Sequence, residues 1–482
     1  MFLDVLPSHP QNAMEQLAGL ALAFLLISLL LWSRKHLRQY QHETFTEWAR
    51  KCGDVVYARL LTKDVLIINS AAAARALMEK RGAKYSGRPP CTYLNDLSGF
   101  SWNIGFMQYD DRWRRHRRWF QNGFQVKKRL DSYVPIQQRE TRRFLVDLLR
   151  EPDAFMDHFK RLAAAIMLEV GYGHTVTSVG DAHVRKVDAA VGGIFEAGNP
   201  GSMLVDFFPV LKWIPAWMPG ASWKRTADRL RPAIDSMNLD PFRAIMEATT
   251  AGTAKPSFAT AILEEAPTDE PLLAAEEREM SGARERKRCV QFLSYKAHIQ
   301  SVYGSQTVSV LSLFVFAMVR HPEVYTTAQA EMDRIVGRER LPQFDDRQEL
   351  PYLECVLKEV YRAMLHDETI YEDPDDFKPE RFLNIEPALA ELRDPRKIVF
   401  GHGRRICPGR FLGDSSIWLV IANMIATFDL AKARDSAGRD ITPTTDFVSG
   451  FVRHPKHFVC DIRPRSERSA ELISRSFQEG DE

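Results

Sequence analysis

Apolar residues fall into one uncharged run near the start of the chain, two β-like stretches, and then helix-spaced clusters almost to the end. The first run is Leu17 to Trp32. Val55 to Leu60 and Val65 to Asn69 are rich in β-branched residues, with Thr62, Lys63 and Asp64 between them, and the pattern predicts a hairpin. Ser70 opens an alanine-rich stretch read as a helix to about Arg81, closed by Gly82. From Leu130 to Ala190 the periodicity is helical and amphipathic. Met203 to Trp223 is dense in large apolar residues and broken by Pro209, Pro215 and Pro219. It reads equally as core between short helices and as a lid that dips into a membrane interface, where Trp is favoured. Thr249 to Pro271, rich in Ala, Thr and Pro, is expected to be a surface loop. Val308 to Met318 and Leu350 to Arg362 read as helices, and Phe458 to Ile462 as a late strand. The polar tail from Ser466 is expected to be disordered. No internal repeat is present.

The run Leu17–Trp32 is sixteen residues long, short against the ~20 that span a bilayer but within the range that tilt and thinning accommodate. Asp4 and Glu15 precede it where a signal peptide would be basic, and no small-residue cleavage site follows. Arg34, Lys35 and Arg38 come after it, which places the downstream body on the cytosolic side. An uncleaved anchor is expected. Hydrophobic residues make up 45% of the 482, enough for a large core. A net charge of +2 gives no overall nucleic-acid footprint. The six cysteines are scattered without C-x-x-C pairs, which excludes a recognisable zinc or disulfide framework and suits a reducing compartment.

One of them stands apart. Phe400-Gly401-His402-Gly403-Arg404-Arg405-Ile406-Cys407-Pro408-Gly409-Arg410 sets a cysteine among glycines and arginines just before an apolar helical run. A metal-binding cysteine is a thiolate and needs positive surroundings. Arg404, Arg405, Arg410 and the following helix N-terminus are expected to supply them. Gly401, Gly403 and Gly409 would let the backbone approach a flat partner. The bland alternative is a loop cysteine before an ordinary helix.

The spacing F-x-x-G-x-R-x-C-x-G, filled by Phe400, Gly403, Arg405, Cys407 and Gly409, resembles the haem-ligand loop of the cytochrome P-450 superfamily. The resemblance runs from about Lys51 to Pro464 and is closest to fungal microsomal members. It implies a mainly α fold with a small β-sheet and haem b (iron protoporphyrin IX) between helices. Cys407 would be the axial thiolate and metal ligand, whose electron donation favours O–O cleavage. Phe400, Gly401, Arg405 and Gly409 would complete the cofactor loop. Trp113 and Arg117 match the family's W-x-x-x-R. Four apart on one helix face, they are expected at the haem propionates. Arg114, Arg115 and Arg118 would face outward toward an acidic redox partner. Glu359 and Arg362 form E-x-x-R, expected to build a buried ion network with Arg381 of Pro379-Glu380-Arg381-Phe382. The organisation implied is an anchor and flank at 1–38, a haem-thiolate domain at 39–465 and a tail at 466–482.

The implied activity is monooxygenation of a small apolar substrate. An NADPH-dependent flavoprotein reductase would deliver electrons to a monomer in the endoplasmic reticulum membrane, in contact with lipid and facing the cytosol. Three departures qualify it. No proline-rich hinge follows the run at 17–32. Where the family's oxygen-activating helix carries a small residue, Gly, an acid and Thr, this chain has Tyr303-Gly304-Ser305-Gln306-Thr307. Thr307 can hydrogen-bond, but Gln306 cannot supply protons as a carboxyl does. These two are the catalytic candidates. Finally, Arg362 abuts Ala363 where the family has several strands and a substrate-contacting loop. Exon loss or a retained intron would explain all three. The rival readings are a degenerate haem-binding isoform, a haem-thiolate isomerase or dehydratase, and a poorly folded non-enzymatic product.

Overall fold

A computed structural model describes residues 41–178, 180–196, 203–265, 306–365, 367–368, 370–448 and 454–479. The run at 17–32, Tyr303 to Ser305, His366 and residues 449–453 lie outside them. The chain divides into two compact units, Met1–Asn69 and Ser70–Glu482.

In the first unit helix α1 (Gln41–Cys52) leads into strand β1 (Val55–Leu60), which pairs antiparallel with β2 (Lys63–Ile68). The register runs from Val55↔Ile68 to Leu60↔Lys63. The turn is therefore tighter than the sequence suggested, with Leu61 and Thr62 alone between the strands and Leu61 at φ 53°. Alternation buries Val56 and Ile67 and leaves Tyr57 outward, donating to Asp64 at 2.7 Å.

In the second unit Ser70 caps the predicted helix, its hydroxyl accepting from Ala73 N at 3.2 Å. Gly82 does not close that helix; it begins the next short one, Gly82–Tyr85. The larger helices follow as α2 (Asp111–Phe124), α3 (Lys127–Arg150), α4 (Phe155–Tyr172), α5 (Ala182–Glu196) and α6 (Ser222–Thr250). Next come α7 (Phe258–Glu265), α8 (Gln306–Arg320), α9 (Pro322–Ile335), α10 (Pro351–Arg362) and α11 (Arg410–Thr427). Helix α11 is apolar all round, and such a helix belongs in the centre. Trp418, Ile421, Met424 and Ile425 are fully buried there among α3, α8, α9 and α10. It feeds β3 (Phe428–Arg434), the middle of a sheet ordered β4-β3-β5, with β4 at Asp440–Ile441 and β5 at Cys460–Pro464.

Two expectations fail. The stretch read as a surface loop contains α7, whose Phe258, Ala259 and Ile262 are buried, with the Phe258 ring 5.0 Å from Phe124. The tail read as disordered forms α12 (Glu467–Gln478), capped by Ser466 and docked on α3 and α11 through Ile473, which is completely buried. In both, a few apolar residues at helical spacing outweigh a polar composition. Residues 203–223 follow neither reading alone: Val205 is buried, while Trp213 and Trp217 are 77% and 78% exposed.

Among the described residues no strand lies between Arg362 and Phe428, where the resemblance anticipated a gap. None of the described helices is by itself long and apolar enough to cross a membrane.

Candidate functional site

Asp110 caps helix α2, its carboxylate accepting the Trp113 N–H at 2.7 Å. That cap fixes the helix phase, so Trp113, His116, Arg117 and Phe120 turn inward while Arg114 and Arg118 stay exposed. Trp113 and Arg117 share a buried face as their spacing required. Arg117 donates to the Ile406 carbonyl, next to Cys407, and the Trp113 indole N–H donates to the Ile104 carbonyl at 3.2 Å.

The Cys407 segment is a chain of tight turns. Gly401 and Gly403 have φ of 79° and 58°, which favour glycine. A Cβ on Gly403 would sit 1.9 Å from the Met78 carbonyl oxygen, so that position tolerates no side chain. The Cys407 N–H closes the loop on the Phe400 carbonyl at 2.8 Å. Cys407 itself is half-buried, three residues before the first residue of α11.

The arginines do not surround the sulfur as expected. Arg404 turns to Tyr109, and its guanidinium lies 5.2 Å from that ring. Arg410 donates to the Cys407 carbonyl at 3.2 Å. Arg405 reaches away, donating to the carbonyls of Ser86, Ile104 and Met107 at 2.9 Å each and lying 4.5 Å over the Trp113 ring. These carbonyls come from a segment far away in sequence, with no signal near the motif to announce them.

Arg405 carries an electrostatic signature. It forms no ion pair among the described residues, and burial first, then Arg88, pushes its pKa down to about 10. Asp110 and Tyr109 act in the opposite direction and only partly offset this. Three of its five N–H groups are used, and two remain for an acceptor.

Beside the Cys407 loop is a small, partly open cleft. Ile166, Met167, Phe124 and Leu412 give it apolar walls. Gly409 lines it on the cysteine side and Thr307 from the first turn of α8. The structure therefore brings Thr307 and the Cys407 loop to one cavity. Gln306, in contrast, is exposed to solvent. Apolar walls, a cysteine in a glycine loop and an arginine with two unspent N–H groups suit a flat, largely apolar group that carries a carboxylate edge and a thiolate-seeking metal. The residues fit haem.

Behind the loop, Glu359 accepts from Arg362 at 2.6 Å, from Arg381 at 3.1 Å and from the Lys378 N–H at 2.8 Å. Glu359 and Arg362 are almost wholly buried. The ion network anticipated from E-x-x-R and Arg381 is formed.

Comparison with known proteins agrees with this geometry. The family model described as Cytochrome P-450 matches residues 19–280, 302–364 and 361–461. Its breaks fall in the altered stretch before Thr307 and at the Arg362–Ala363 junction. Cytochrome P-450 monooxygenases 176 and 136 of Postia placenta are 39% and 40% identical to this chain; the matches cover 90% and 91% of it and 88% and 87% of the relatives. Tryptamine 4-monooxygenase of Psilocybe cyanescens is 32% identical over 89% of each chain. A zebra fish cytochrome P-450 solved with progesterone superposes with a TM-score of 0.67 at 18% identity, covering 88% of this chain and 99% of its own, which speaks to the fold alone. A mainly helical fold with small sheets, the matched residues and these relatives lead to one assignment: the chain belongs to the cytochrome P-450 family.

Proposed function

We propose that this chain is a haem-thiolate monooxygenase in which Cys407 holds the iron and Arg405, Arg117 and Trp113 face the propionates. The observation that carries the reading is geometric: the glycine-rich Cys407 loop, held by Arg117 on the Ile406 carbonyl, shares through Gly409 one apolar cleft with Thr307. Bound haem would supply the oxygen-activating chemistry that places one atom of O2 in the substrate and releases the other as water. The protein's part is positioning and water exclusion. Ile166, Met167 and Leu412 keep the cleft apolar. Thr307 offers the one hydroxyl of the catalytic pair placed to hold a proton in the cleft. The exposed Gln306 has no part in that step.

The finer reading follows from chemistry. Exposed Arg114 and Arg118 suit an acidic flavoprotein reductase supplying NADPH-derived electrons. The run at 17–32 suits an anchor in the endoplasmic reticulum with the body toward the cytosol, and exposed Trp213 and Trp217 suit a second contact with lipid. The substrate class is small, apolar and membrane-soluble.

The test is reconstitution of the full chain with haem and an NADPH-dependent reductase in phospholipid vesicles, with a panel of small apolar compounds. The reading expects NADPH consumption that rises with a compound and a product heavier by one oxygen atom. Haem-loaded protein that consumes no NADPH and forms no such product would overturn it.

A further inference from the structure

The Cys407 loop is clamped at both ends by a cluster of charges that its motif does not contain. Arg396, just before the loop, pairs with Asp394 at 2.7 Å and reaches Glu354 on α10 at 2.6 Å. Asp414, the fifth residue of α11 beyond the loop, accepts from Arg347 at 2.8 Å, and Arg396 lies 3.9 Å from the same carboxylate. Arg347 also bonds Glu354 at 3.0 Å. Arg396, Glu354, Arg347 and Asp414 thus form a closed ring of alternating charge. It ties the loop's entry and exit to each other and to α10. All four side chains are between 16% and 25% exposed, so solvent screens them less than an ordinary surface pair.

Helix α10 divides its labour by face. Cys355, Glu359 and Arg362 lie on the face that holds Tyr371, Phe382 and the ion network with Arg381. Glu354 and Tyr361, seven apart and so on another common face, look toward the loop; the Tyr361 ring meets Phe400 at 5.7 Å. Arg347 additionally covers the Trp418 ring of α11 at 5.6 Å. The cluster therefore acts on the two segments between which Cys407 is suspended.

We propose that Asp414, with Arg347, Arg396 and Glu354, positions the Cys407 sulfur for its metal. Asp414 touches neither cofactor nor substrate; it acts by fixing the height of the loop, as outer partners of a metal ligand do. The proposal rests on the haem-thiolate reading.

The test uses the haem-loaded full chain and Asp414→Asn, which keeps shape and removes the charge. Asp333→Asn is the control: Asp333 pairs with Arg465 at 2.7 Å, and neither residue belongs to the loop or the cleft. The readouts are the Soret band of the reduced carbon monoxide complex, haem loss to apomyoglobin and thermal unfolding of the haem-free chain. The expected result is a partial change of the band from thiolate to thiol type and haem loss about tenfold faster in Asp414→Asn, with neither change in Asp333→Asn. Arg347→Lys, which retains charge, should fall between wild type and Asp414→Asn. An unchanged band and haem-loss rate in Asp414→Asn would overturn the proposal. So would equal changes in the control, which would mark a general loss of stability. A wild-type chain without a thiolate-type band would instead defeat the haem-thiolate reading on which the proposal stands.

Discussion

Arg405 shows how far a motif residue can be read from sequence and where reading stops. Its place two residues before Cys407 marks it as part of the cofactor loop. That its guanidinium would be spent on the carbonyls of Ser86, Ile104 and Met107 depends on a segment about three hundred residues earlier, which no local pattern reveals. The same holds for Arg404 and Arg410, whose partners turned out to be a tyrosine and a carbonyl. On the proposed function, the charge of Arg405 serves the carboxylate edge of the haem. Arg405 should then distinguish haem from its dimethyl ester. A charge-assisted hydrogen bond contributes about 1.5–3 kcal/mol, so esterification should weaken binding to the wild type by about tenfold or more. Arg405→Met should lose most of that preference, with Arg117 and Trp113 holding what remains. Titration of haem-free protein with each compound, after circular dichroism shows that the variant is folded, checks this. Equal binding of the two forms by the wild type would contradict the propionate role.

At the scale of elements, long amphipathic patterns were legible and short polar ones were not. The hairpin and α10 lie where the apolar pattern placed them, and β5 is shifted two residues along from its expected position. Helix α7 hides Phe258, Ala259 and Ile262 inside a stretch rich in Ala, Thr and Pro, and α12 has few apolar residues in a charged tail. In such segments tertiary burial decides and composition misleads. Helix α12 is worth a direct measurement because its docking contradicts the disorder its sequence suggests. Ile473 is completely buried against α3 and α11. Ile473→Ala should destabilise the protein by about 2–5 kcal/mol, read from the urea midpoint. A tail that is not docked would give no change. The ion network of Glu359, Arg362 and Arg381 was legible for a different reason: the family resemblance implied it, and the burial of Glu359 and Arg362 makes such pairing necessary.

At the scale of the molecule, the family was readable from a few hundredths of the chain because glycines, arginine and cysteine at fixed spacing have few other uses. The departures were readable too. The family model breaks in the altered stretch before Thr307 and at Arg362–Ala363, and no strand lies between α10 and β3 among the described residues. The substrate was not readable, since the loops that select it are the variable part of such a fold. Even so, the second unit keeps a central α11, a braced cysteine loop and an apolar cleft. Whether that remaining frame binds haem through sulfur decides the account. The direct measurement is the absorption spectrum of the haem-supplied, reduced chain under carbon monoxide, beside Cys407→Ser. A thiolate-type Soret band in the wild type that vanishes in Cys407→Ser is the predicted result; a wild type without that band, or a variant that retains it, would contradict it.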